Sequence, residues 1–110
     1  MVSSVTREEA GRLSDDLAVI AEPNRLLMLR HLRRGPRSAG YLTRALGIPQ
    51  PLAGYHLSVL LKAGLVTKQR KGSFSCYAAD RDRVKELHAR VGRLVGASGA
   101  ASDEPTDDPC

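Results

Sequence analysis

Gln50, Gly54, Tyr55 and Ser58 are side chains suited to reading the edges of bases, and they lie among apolar residues at helical spacing. Ala53, Leu57, Leu60 and Leu61 recur at helical spacing, and a helix over 51–63 turns Ala53, Leu57 and Leu60 inward and the positions between them outward. Gln50, at the start of the helix, carries an amide that can pair with N6 and N7 of adenine, beside backbone amides that can reach a phosphate. Gly54 leaves a bare backbone that can come close to a groove floor. Tyr55 offers a ring for the thymine methyl and a hydroxyl that reaches further, and Ser58 follows one turn on. Lys62 is placed to meet phosphate. His56, beside the packed Leu57, is assigned a structural role.

The elements that position these groups are written into the same stretch, 42–65. Leu42, Ala45 and Leu46 give a preceding helix a short apolar face, and Gly47 stops it. Pro49 and Pro51 fall in the turn and in the opening turn of the next helix, whose first amides have no helical partner. Gly64 ends the second helix. Two short strands follow, 65–69 and 74–77, joined by the charged turn 70–73, which together predict a hairpin. A helix pair followed directly by such a hairpin is a winged helix-turn-helix. Its wing would carry Lys68, Arg70 and Lys71 to a phosphate backbone, with Arg37 a further backbone contact.

Charge distribution favours the same partner. From Asn24 to Ala79 there is no Asp or Glu, while Arg25, Arg30, Arg33, Arg34, Arg37, Arg44, Lys62, Lys68, Arg70 and Lys71 all fall there. The carboxylates gather at the two ends. A solvated protein face normally mixes both signs, so this segregation is the footprint of a polyanion-binding surface. With 110 residues the chain suffices for one small domain. It has no stretch of membrane-spanning length and no basic-then-apolar leader, so the expected location is the cytoplasm. Two cysteines, Cys76 and Cys110, make no disulfide framework in a reducing compartment.

Outside the central pair, residues 1–6 are expected to be disordered, and 7–97 to form the DNA-binding and dimerisation domain. A first helix spans 7–21 with Thr6 as its cap, and a second spans 24–33 after Pro23. Leu26, Leu27, Leu29 and Leu32 are expected in the core. Ser38 caps the third helix, and Asp80 caps a last one running to about 97. Val84, Leu87, Val91 and Leu94 form a stripe on that helix, expected to pair with Leu13 and Leu17 of the first helix and with a second copy of itself. The fold class is therefore mainly α with a small β-hairpin, about five helices plus the wing, and homodimeric. Residues 98–110 read as an unstructured acidic tail.

The chain resembles the ArsR/SmtB-type winged-helix regulators of bacteria from about Leu17 to Leu94. AEPNRLLMLRHL carries the family's second-helix pattern at Ala21, Pro23, Arg25 and Leu29. LGIPQPLAGYHLSVLLKAGLV matches at Leu46, Gly47, Gln50, Pro51, His56, Leu57, Val59, Leu60, Ala63, Gly64, Leu65 and Val66, and KQRKGSFSCY resembles the wing at Arg70, Gly72 and Tyr77. The resemblance implies a homodimer that binds imperfect palindromic double-stranded DNA near promoters and, in most members, releases it on binding an inducer that is often a metal.

The family's metal positions are occupied by other residues here. Where one site has a cysteine pair, this chain has Ser38 and Gly40; where the other has Asp and His residues, it has Arg81, Arg83, Leu94 and Ala97. No cofactor and no metal site of the usual kinds is expected. A remaining metal reading is a site improvised from His88, Asp103, Glu104, Asp107, Asp108 and Cys110, whose donors suit a borderline cation. An enzyme is not expected: there is no phosphate loop and no HExxH, and His56 and Ser58 point to different faces of one helix. A protein–protein adaptor using the terminal helices is the competing non-enzymatic reading, but it leaves the carboxylate-free stretch without explanation.

Overall fold

The computed structural model describes residues 2–96 as five helices and a three-stranded antiparallel sheet, in the order α1 (Ser4–Ile20), α2 (Pro23–Leu32), β1 (Arg37–Ser38), α3 (Ala39–Leu46), α4 (Gln50–Lys62), β2 (Val66–Lys71), β3 (Phe74–Ala79) and α5 (Arg81–Val95). The sheet runs β1-β3-β2. This is a mainly α winged helix-turn-helix. The tail 98–110, including Asp103, Glu104, Asp107, Asp108 and Cys110, lies outside the described residues, as do Ala97 and Met1.

Local chemistry sets most of the boundaries. Ser38 caps α3 by accepting from the Tyr41 amide at 3.1 Å, and Gly47 ends that helix at φ +65°. Gly64 turns the chain out of α4 at φ +74°. Asp80 caps α5 through the Arg83 amide at 3.1 Å. Such a cap supplies one of the amides a helix start leaves without a partner, and is worth about 1 kcal/mol.

Most boundaries fall within about two residues of the sequence reading, and two regions differ in substance. Helix α1 begins at Ser4 because Ser3, rather than Thr6, is the cap: its hydroxyl accepts from the Thr6 amide at 3.1 Å and pairs with the Thr6 hydroxyl at 2.9 Å. Residues 4–6, expected to be disordered, are thus the first turn of the helix. The wing strands are also longer than expected. Arg70 and Lys71 belong to β2, and the turn is only Gly72-Ser73, with Lys71 opposite Phe74. Gly72 has φ +61° and Ser73 is not left-handed, the pattern of a type II′ hairpin turn.

The core gathers Met28, Leu32, Leu42, Leu57, Leu60 and Val66, all fully buried, with Leu13, Ala53, Leu65, Tyr77 and Leu87 around them. In α2 the expected core residues Leu26 and Leu27 are exposed, and Met28 takes the place assigned to them. At 100° per residue, Met28, Leu29 and Leu32 share one face, whereas Leu26 and Leu27 extend the leucine run beyond any single face. Leu13 and Leu87 are buried within one chain, where α1 packs on α5. Leu17, Val91 and Leu94 are half-buried against the same core, and Val84 is exposed.

Candidate nucleic-acid interface

Helix α4 is anchored by Ala53, Leu57 and Leu60, each at most 1% exposed, and by His56, also buried. Opposite that face run Pro51, Tyr55, Ser58 and Lys62, at spacings of four, three and four residues that keep them on one line. Tyr55 is 59% exposed, and its ring makes a T-shaped pair with that of His56, at 5.3 Å between centroids. Gln50 and Gly54 flank the line and are exposed, while Ser58 is half-buried. Leu52, on the other flank, is exposed as well. It is a leucine that periodicity placed nowhere, and it offers an apolar contact next to Tyr55.

His56 links this helix to α2. Its Nδ1 lies 3.0 Å from Arg25 Nη1 and 3.7 Å from Glu22 Oε2. A guanidinium only donates, so Nδ1 accepts and the ring proton sits on Nε2. Glu22 in turn caps α2 through the Arg25 amide at 2.8 Å, and Arg25 Nε donates to the Val19 carbonyl. The reading helix is therefore tied by a polar chain to the α1–α2 corner. With His56 inward and Ser58 outward, the two cannot act together as a hydrolytic pair.

An added Cβ at Gly54 would meet nothing within 4 Å. No packing reason therefore requires glycine there, and its helix propensity is poor. Gly54→Ala is expected to raise stability by about 0.5–1 kcal/mol in urea unfolding. If the bare backbone serves close approach to a groove, the same variant binds its operator more weakly. A stabilised variant with undiminished operator affinity would remove Gly54 from the interface.

In the wing, strand alternation puts Val66, Lys68 and Arg70 on one face and Thr67, Gln69 and Lys71 on the other. Lys68 lies over its cross-strand partner Tyr77, with Nζ 5.8 Å from the ring centre. Arg70 Nε donates to the Gly72 carbonyl at 3.4 Å, bracing the turn. Arg70 and Lys71 therefore leave the ribbon on opposite sides, which suits a tip set between two phosphate strands. Arg37 pairs with Tyr77 from β1, and its guanidinium stands 5.3 Å from the centre of the Tyr41 ring.

One residue at the tip was not singled out from the sequence. Phe74, 56% exposed, lines an open cleft of about 420 Å³ with Ser38, Ala39, Gly40, Gln50 and Ser75. The cleft joins the aromatic ring of the wing to the starts of α3 and α4. An aromatic residue beside a Gly-Ser turn was the available signal. Replacing Arg70 and Lys71 together by Ala is expected to lower the slope of log K against log salt by up to about 2 units, on specific and random duplexes alike. An unchanged slope in a fluorescence-anisotropy salt series would move the charge to Arg33, Arg34 and Arg37.

Among the described residues no three His, Cys, Asp or Glu side chains are grouped to hold a metal ion. His88 is exposed on α5, and no described helix is long and apolar enough to cross a membrane. Two of the positions that correspond to family metal ligands act as caps instead. Arg81 donates to the Arg33 carbonyl, and Arg83 donates to the Ala63 carbonyl at 3.4 Å.

Comparison with known proteins agrees with this architecture. Residues 22–68 match the model for "Bacterial regulatory protein, arsR family". The chain is 31% identical over 88 residues to an HTH-type transcriptional regulator of Methanocaldococcus jannaschii, covering 79% of this chain and 99% of that protein. It is 34% identical over 83 residues to the "Probable mercury resistance operon repressor" of Streptomyces lividans, covering 76% of this chain and 66% of that one. The crystal structure of NolR from Sinorhizobium fredii superposes with a TM-score of 0.69 at 29% identity, covering 92% of this chain and 98% of that chain. With its helix pair, its wing and these relatives, the chain belongs to the arsR (ArsR/SmtB) family of winged helix-turn-helix transcriptional regulators, DNA-binding proteins and not enzymes.

Proposed function

We propose that this regulator works as a homodimer that reads a twofold-symmetric operator through its paired α4 helices. Gln50, Gly54, Tyr55 and Ser58 face base edges, Lys62 meets phosphate, and Arg37, Lys68, Arg70 and Lys71 hold the flanking backbone. The supporting observation is the line Tyr55–Ser58–Lys62, directed away from the core within a stretch that contains no carboxylate. Twofold symmetry follows from operator reading, because two half-sites one helical turn apart need two helices at a matching distance. Leu17, Val91 and Leu94, half-buried on the two terminal helices, and Val95, exposed, supply the apolar contact between copies. Such a protein works where the chromosome is, in the cytoplasm.

The mercury in one relative's name is not carried over to this chain. Ser38 is occupied as the α3 cap, Gly40 has no donor atom, and Arg81 and Arg83 are cations committed to helix ends. The operator reading is tested by selecting bound duplexes from a random library with the full-length protein. Enrichment of one symmetric motif is the expected result. Binding that enriches no motif would leave a sequence-independent DNA-binding protein.

A further inference from the structure

A second cationic site lies away from the wing tip. Leu29 of α2, Ala79 at the end of β3 and Val84 of α5 form the floor of an open cleft of about 310 Å³, and Arg33, Arg81 and Lys85 stand around it. That volume lies at the small end of the range for ligand pockets. Ala79 pairs with Val66 at the root of the hairpin, roughly 17 Å along the strand from Phe74 at the tip. These three cations therefore stand apart from the wing tip.

Their charges are crowded together at the surface. Arg81 and Lys85 are four residues apart on one helix face, where like charges repel. Arg81 is the first residue of α5, the end at which a helix favours negative charge. The carboxylates nearby do not line the cleft. Asp80 accepts from the Arg83 amide as the helix cap, and Glu86 lines a separate cleft with Asp16 and Arg90. Asp82 is three residues before Lys85, at a spacing that allows a pair, but among the described residues the two form no salt bridge. Arg81 uses one of its five donors on the Arg33 carbonyl, which leaves the others free to face the cleft. Three cations without a carboxylate partner beside an apolar surface suit an anion with an apolar body.

We propose that this cleft binds a small organic acid, an apolar body carrying a single carboxylate. The body would lie on Leu29, Ala79 and Val84, and the carboxylate would meet Lys85, Arg81 and Arg33. A wholly apolar molecule would leave the cations unanswered, and a small inorganic anion would leave the floor exposed to water. Because Arg81 also holds the end of α2, whose start is tied to α4 through Arg25 and His56, the bound acid touches an element that supports the reading helix. As an effector site, the cleft rests on the operator-binding reading; as a binding site, it does not.

The test is calorimetry on the full-length protein without DNA, at fixed salt, with octanoate, 1-octanol and acetate as probes. Saturable binding of octanoate is expected, with 1-octanol and acetate each weaker by about tenfold or more. Lys85→Gln and Val84→Gln should each weaken octanoate by a similar factor at unchanged melting temperature. Arg93→Gln, an exposed charge at the far end of α5, should leave it as it was. The proposal is overturned if octanoate gives no saturable heat, if 1-octanol binds as tightly, or if neither cleft variant weakens binding. A second copy of the chain covering the cleft would produce the first of these results. A null result leaves the operator reading intact, since that stands or falls on the duplex selection.

Discussion

A Leu87→Asp chain is expected to lose its fold, while a Val95→Asp chain keeps its fold and loses its partner. Leu87 is 6% exposed in a single chain, packed where α1 meets α5. An aspartate there leaves a carboxylate without a partner in an apolar site and removes a leucine's contacts. The cost is roughly 3–5 kcal/mol, comparable to the whole stability of a small domain. Val95 is 67% exposed, so a charge there costs the isolated chain little. At a twofold contact each substitution counts twice, and two facing carboxylates would separate the copies. Operator affinity should then fall on the order of 10²–10⁴-fold, because the second half-site is no longer engaged from within one complex. Sedimentation velocity and circular-dichroism melts distinguish the two outcomes. A Val95→Asp protein that stays dimeric would place the contact elsewhere on the terminal helices. A Leu87→Asp protein that melts like wild type would contradict the packing described here.

Tyr55→Ala should cost about 1–3 kcal/mol on the cognate duplex and much less on random sequence. The difference between those two costs is what identifies a base reader, since a residue that only touches phosphate weakens both alike. Stability should change little, because the ring is 59% exposed. The comparison is made by anisotropy on cognate and scrambled duplexes at one salt concentration. Equal losses on both would assign Tyr55 to the backbone.

His56 gives the opposite pattern, because its interactions are internal. Removing it strips Arg25 Nη1 of its acceptor and loosens the tie between α4 and the α1–α2 corner. Its loss should therefore appear in unfolding before it appears in base preference, at about 1 kcal/mol or more for a part-buried donor left without its acceptor.

What the sequence determined by itself was everything written in short-range rules. Gly47 and Gly64 had to stop helices because they could take a positive φ, and both do. Ser38 and Asp80 had to cap because a hydroxyl or carboxylate sits two or three residues before an orphan amide, and both do. The two faces of α4 followed from a period of 3.6 acting over one helix. The missing carboxylates between Asn24 and Ala79 needed no coordinates at all.

Only the tertiary structure decided matters that depend on residues far apart in the chain. Strand β1 has two residues, too few to carry a periodicity, and exists because β3 offers Cys76 and Tyr77 as partners. Four leucines in α2 competed for one face, and packing against the rest of the core gave it to Met28 and Leu32. Leu13 and Leu87 read as interface residues because a stripe on a terminal helix does not say which surface covers it; α1 and α5 of the same chain cover them first. Arg70 and Lys71 looked like one cationic turn until the two-residue turn at Gly72-Ser73 drew both into β2 and set them on opposite faces. The bond from Arg25 to His56 spans thirty-one positions, and no local pattern announces it. Helix ends are settled by a few neighbouring atoms, whereas burial and register are settled by whichever distant segment arrives to pack.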